Sequence, residues 1–122
     1  MNRLAVDMLL RAEQVAILGA GIALWVANGG PPLLLIPAWL LVDLSMIGYV
    51  SGARLGSITY NAAHNLVLPI ALLGLGWWTD TGWIVLAAAV FITHIGLDRA
   101  LGYGLKLPTD FRDTHLGRIG KG

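Results

Sequence analysis

Four long apolar runs separated by short breaks constrain this chain more than any other feature. They cover about residues 12–27, 33–50, 58–78 and 83–105. An α-helix rises 1.5 Å per residue, so about 20 apolar residues cross roughly 30 Å of hydrocarbon. Each run is near that length. The breaks are Asn28-Gly29-Gly30-Pro31-Pro32, the stretch from Ser51 to Ser57, and Thr79-Asp80-Thr81-Gly82. Glycine, proline and small polar residues in such clusters end helices. Only 12% of the 122 residues are charged and 57% are hydrophobic, whereas a soluble domain carries about 25% charge. The expectation is all-α: one polytopic membrane domain over residues 1–122. Loops this short make successive helices antiparallel neighbours, as in an up-down-up-down four-helix transmembrane bundle. Residues 106–122 form a tail, with Pro108 as the expected stop after the fourth helix. Pro37 and Pro69 lie inside spans, where a bend is expected.

Charge placement orients the bundle. Arg3, Arg11, Arg54, Arg99, Lys106, Arg112, Arg118 and Lys121 all fall on one side of this topology, and the two opposite loops hold no Lys or Arg. By the positive-inside rule, both termini face the cytoplasm, in a bacterial cytoplasmic (inner) membrane. Trp25, Trp77, Trp78 and Trp83 mark the other boundary, as an aromatic belt does. Trp39 lies within the second span, where packing is the expected role. Asp7 and Glu13 argue against a cleavable leader, so the first helix is expected to stay. There is no cysteine, which excludes disulfides and thiolate ligands. No basic run or face points to nucleic acid.

Against this background the ionisable residues inside the spans stand out. Glu13, Asp43, His64, His94 and Asp98 fall at similar depth once the chain reversals are counted, forming one layer in the cytoplasmic half. An Asp costs roughly 2.5–3.5 kcal/mol at the centre of a bilayer on insertion scales, and ionisable groups in spans usually face the bundle interior. His94 and Asp98 are i,i+4 and share a helix face, as do Tyr60 and His64. Asn61 and Asn65 extend a polar stripe on the third span. Arg99 is paired in phase with Tyr103 and is expected to reach the headgroups. Gly48, Gly52 and Gly56 recur every four residues, a spacing that permits close helix approach and a homo-oligomer or larger membrane complex; a glycine-rich turn is the equal alternative.

LLRAE at 9–13, DLSMIGY at 43–49, YNAAH at 60–64, HIGLDRALGYGLK at 94–106 and FRDTHLG at 111–117 together give the chain a family resemblance. It resembles a bacterial family of small integral membrane proteins filed as a domain of unknown function, four-two-six-zero. One departure is Val42 before Asp43, where the family pattern has proline. The resemblance implies a four-helix membrane protein and carries no activity. It puts the family's motifs on the same polar layer.

Two imidazoles and up to three carboxylates on antiparallel helices make the ligand set of bundle-core metal proteins. Nitrogen and oxygen ligands without thiolate suit Fe, Mn or Zn. The expected metal ligands are His64, His94, Asp98, Asp43 and Glu13, supported by Tyr60, Asn61, Asn65, Arg99 and Tyr103. The serines and Thr93 lack the fixed relation to histidine that a nucleophile needs. His115 is a ligand only if the tail folds over the layer, and Phe111 is the anchor such folding would use. Three alternatives stand beside the metal: proton or ion coupling in an oligomeric transporter, haem between His64 and His94, and a polar layer that only locks a structural or assembly subunit together.

Overall fold

Helix α1 spans Arg3–Ala27, beginning well before residue 12. The Asn2 side chain accepts the Ala5 N–H at 2.8 Å and caps it. The apolar count marks the hydrocarbon crossing, whereas the helix itself continues through the polar zone as far as its cap. This computed structural model describes residues 1–120, so Lys121, counted above among the orienting charges, lies outside the described residues.

The second span, Pro32–Ser51, is wound unevenly. A 3-10 turn at Pro32–Leu34 leads into α2, Leu35–Leu41, and then a ten-residue 3-10 stretch covers Val42–Ser51. Pro37 sits in the first turn of α2, where an N–H has no α-helical partner to lose. Gly52, at φ +116, turns the chain into the third span.

That third span is two helices: α3, Ala53–Ala63, and α4, Val67–Trp78. The bend expected at Pro69 is a break at residues 64–66 instead. In a continuous helix the Pro69 ring would collide with the Asn65 carbonyl four residues back. Asn65 stitches the gap. Its amide donates to the carbonyls of Asn61 (2.7 Å) and Ala62 (3.0 Å). Its oxygen accepts from Val67 N–H at 3.0 Å and Leu68 N–H at 3.3 Å.

Helix α5, Gly82–Leu101, stops short of residue 105. Gly102, at φ +93, ends it with two reversed bonds: Gly102 N–H to Arg99 O, and Tyr103 N–H to Asp98 O at 2.8 Å. This left-handed glycine cap acts before Pro108 is reached. Helix α5 is central. Buried residues make up 44% of its most apolar window, against 11–17% for the other spans. It packs on α1 along one side and α4 along another. Where α1 crosses it the two backbones nearly touch: a Cβ on Gly96 would stand 2.8 Å from the Leu18 nitrogen, and one on Gly21 would meet Thr93.

The 3-10 stretch packs on α3 through the small residues of the glycine series. Gly48 abuts Thr59 and the Leu55 carbonyl, and Gly56 lies against the Tyr49 ring, so both are buried within the chain. All four spans are long and apolar enough to cross a bilayer, and the outer faces of α1, α2 and α4 carry large exposed hydrophobic side chains. The chain is a multi-pass, all-helical membrane protein.

The tail folds back. Strands β1 (Asp113–Thr114) and β2 (Gly117–Arg118) form a minimal antiparallel hairpin, and Lys106 bridges to Thr114. Asn61 on α3 clamps the tail backbone, donating to Lys106 O at 2.8 Å and accepting Lys106 N–H at 2.7 Å. Phe111 meets Tyr49 edge-on at 5.1 Å.

Candidate metal centre

Each imidazole is held by the irregularity next to it. His64 is the residue at which α3 ends, with φ −113 and ψ 21, so its ring turns inward at the break. Its Nδ1 lies 2.8 Å from the Tyr60 carbonyl, and the Tyr60 ring stacks on it at 3.6 Å and 9°. His94 is completely buried on α5. Its Nδ1 lies 2.8 Å from the Trp39 carbonyl, and the Trp39 ring stacks on it at 4.3 Å.

Those carbonyl contacts fix the tautomers. A carbonyl only accepts, so both Nδ1 atoms carry the proton and donate it. Neutral rings then present bare Nε2 lone pairs. The two Nε2 atoms face each other at 3.2 Å. Asp43 Oδ1 stands 3.1 Å from the His94 Nε2 and 3.3 Å from the His64 Nε2. Asp98 Oδ2 flanks them at 3.3 Å from His94 and 3.7 Å from His64.

Asp43, His64 and His94 therefore offer three acceptor atoms at the corners of a nearly equilateral triangle. Such an arrangement repels itself unless a cation occupies it. Ligand atoms about 2.0–2.1 Å from a tetrahedral ion stand about 3.3–3.4 Å apart, close to these edges. A single proton satisfies one pair, whereas a metal ion satisfies every corner at once. The donor set is two imidazoles and one carboxylate with Asp98 beside it, and each imidazole is oriented by a hydrogen bond from its far nitrogen, as metal-bound histidines are.

Glu13 stands apart. The α1 face turned to α5 includes Gln14, Leu18 and Gly21, at helical spacing. Glu13 lies one residue, about 100°, off that face and is exposed. Haem between His64 and His94 has no room. Two nitrogens at about 2 Å on opposite sides of an iron stand about 4 Å apart with the ring between them; here they are 3.2 Å apart, with Asp43 and Asp98 in the same space.

The supporting residues act otherwise than expected. Asn61 clamps the tail and Asn65 bridges the helix break, so neither orients a histidine. Arg99 turns inward and donates to the His64 carbonyl at 2.7 Å, a carbonyl that the break leaves free. Tyr103 serves through its backbone in the α5 cap, with a half-exposed ring. Tyr60 also reaches Asp98 Oδ2, at 3.5 Å. His115 accepts Leu105 N–H through Nδ1 and is not in the cluster.

Two residues escaped sequence reasoning. Trp39 carries the carbonyl and the ring that hold His94; its only sequence signal is a tryptophan at the wrong depth for the interfacial belt. Lys106 is buried, with its Nζ 3.7 Å over the Phe111 ring and 4.6 Å over the Tyr60 ring. Burial pushes its ammonium below the ordinary lysine range, against the opposing pull of Asp98 and Asp43. In the tail, the Thr109 hydroxyl and then Arg118 hold the Asp113 carboxyl below its usual range.

Neither the comparison with curated proteins nor that with solved structures found a match. Residues 7–119, which include every member of the cluster, match a family described as "Domain of unknown function (DUF4260)", and the chain belongs to that family.

Proposed function

We propose that this protein binds one divalent transition metal ion through Asp43, His64 and His94, for a reaction carried out within the membrane. The triangle of bare acceptor atoms, with edges of 3.1–3.3 Å, carries this reading. Three protein ligands leave coordination positions open, as catalytic rather than structural sites do. Two histidines and a carboxylate suit Fe(II) or Zn(II). Such an ion supplies Lewis acidity and an activated water. Asp98 is placed to accept a proton from a group bound there, and the Tyr60 and Trp39 rings keep the imidazoles in register. The asymmetry of Lys and Arg supports a cytoplasmic placement of both termini and of the cluster, in a bacterial inner membrane.

The test is metal analysis of protein purified under metal-replete conditions, with wild type and His94→Ala compared at equal detergent content. About one ion per chain is expected in wild type, and background in the variant. Background metal in wild type overturns the proposal. The i,i+4 contact of His94 with Asp98 favours a second reading, proton coupling in an oligomer. It predicts proton flux in proteoliposomes that Asp98→Asn abolishes, and the absence of flux in wild type rules it out.

A further inference from the structure

A cavity of about 450 Å³ opens between α1, the α3–α4 break, the end of α5 and the tail. That volume is in the range of small-ligand sites. It contains none of the four clustered side chains, but Arg99, which donates to the His64 carbonyl, is in its lining.

Half of its twelve lining residues are polar or charged. Arg11 and Arg99 both line it, and among the described residues neither guanidinium is ion-paired. Arg99 uses one amino group on the His64 carbonyl. Arg11 has only a contact of 3.5 Å with the Ala100 carbonyl, at the limit of a hydrogen bond. A guanidinium carries five donors, so most remain unused on both. Gly102 leaves the space that lets Arg11 lie over the end of α5; a Cβ there would stand 3.1 Å from its Nη2.

His115, Gln14, Asn65 and Asp7 are the other polar residues of the lining. The His115 Nδ1 accepts Leu105 N–H, which leaves the proton of the neutral ring on Nε2 as a donor. Gln14 lines the cavity as well, though its Oε1 is buried away from the open space and has no hydrogen-bond partner. Asp7 is the one carboxylate at the cavity, so the lining remains net positive.

We infer that this cavity binds a phosphate-bearing group, with Arg11 and Arg99 as its two charged donors. Guanidinium and phosphate match in planar, bidentate geometry, and two unpaired guanidiniums beside a bilayer lack an anion that such a ligand supplies. The inference extends the metal reading by naming the class of molecule brought beside the cluster. It stands on other residues and is tested on metal-free protein, so the two fail separately.

The experiment uses full-length protein in neutral detergent after chelation. Binding is measured for three probes: dihexanoyl phosphatidic acid, inorganic phosphate and dihexanoyl glycerol. The phosphatidic acid is expected to bind, and Arg11→Gln and Arg99→Gln are each expected to weaken it about tenfold or more. Arg3→Gln removes the same charge outside the cavity and is expected to leave binding unchanged. If Arg99→Gln fails to fold, Arg11→Gln decides, since that side chain has only its marginal contact to lose. Inorganic phosphate binding as tightly as the lipid identifies a free phosphate site, and lipid binding alone identifies a headgroup site; both uphold the inference. No phosphate probe binding better than dihexanoyl glycerol, or equal losses in Arg3→Gln and Arg11→Gln, overturns it.

Discussion

The side chains of the cluster divide by what they would lose. His64 and His94 each place an Nε2 in the triangle, whereas Asp98 lies beside it at 3.3 and 3.7 Å. We therefore expect Asp98→Asn to retain metal with roughly 10–100-fold weaker affinity, the usual cost of losing an outer partner. Glu13→Gln, on the exposed side of α1, leaves affinity unchanged. Competition with a chelator of known affinity measures both. Equal metal loss in the two variants would mean that charge alone, and not placement, governs the site. The sequence made Asp43, His64, His94 and Asp98 legible because each is too costly in hydrocarbon to be incidental. Glu13 met the same criterion of depth and failed on rotation. Depth is countable along one chain, while the turn of one helix against another is set by packing, here by Gly21 and Gly96.

Among the elements, the α1–α5 crossing offers the sharpest test. A methyl on Gly96 would press on α1 backbone: the Leu18 nitrogen at 2.8 Å and the Gln14 carbonyl oxygen at 3.1 Å. Backbone cannot rotate away as a side chain can, so the helices must separate. Gly96→Ala is expected to destabilise the protein by about 1–3 kcal/mol, the range for overpacking. Gly19→Ala, in the same α1 where nothing lies within 4 Å, is expected to be neutral or stabilising by up to ~1 kcal/mol, since alanine favours the helix. Thermal unfolding in one detergent compares them, and similar melting temperatures would show that the close approach is not tight. The spans themselves were readable from apolar length alone. Their internal irregularities were not. Pro69 announced a distortion, yet its position four residues upstream depends on Asn65 being able to bridge both sides. The 3-10 winding of Val42–Ser51 left no local signal that we can identify.

Across the whole molecule, the tail covers the Tyr60 and His64 side of the polar layer. Contacts run in series from Phe111 to Lys106, from Lys106 to the Tyr60 ring, and from Tyr60 to the stacked His64. The sequence offered Phe111 as an anchor, but counted Lys106 only as a cytoplasmic charge; a buried lysine whose Nζ lies over two aromatic rings becomes visible only once the chain turns back at Gly102. The turn is held by Asn61, whose amide pairs with both backbone groups of Lys106 as a neighbouring strand would. Asn61→Ala removes both bonds. Because the freed groups at the tail can find water on opening, the net loss is about 1–2 kcal/mol, which raises the open fraction roughly 5–30-fold. Trypsin reads that fraction directly, since Lys106 is buried when the tail is docked. With opening fast relative to cleavage, the cut after Lys106 should accelerate by that factor. The cut after Arg3, outside the tail, should not change. Equal rates after Lys106 in wild type and variant would mean that the aromatic contacts hold the tail without the clamp, and that the Asn61 bonds follow docking and do not cause it.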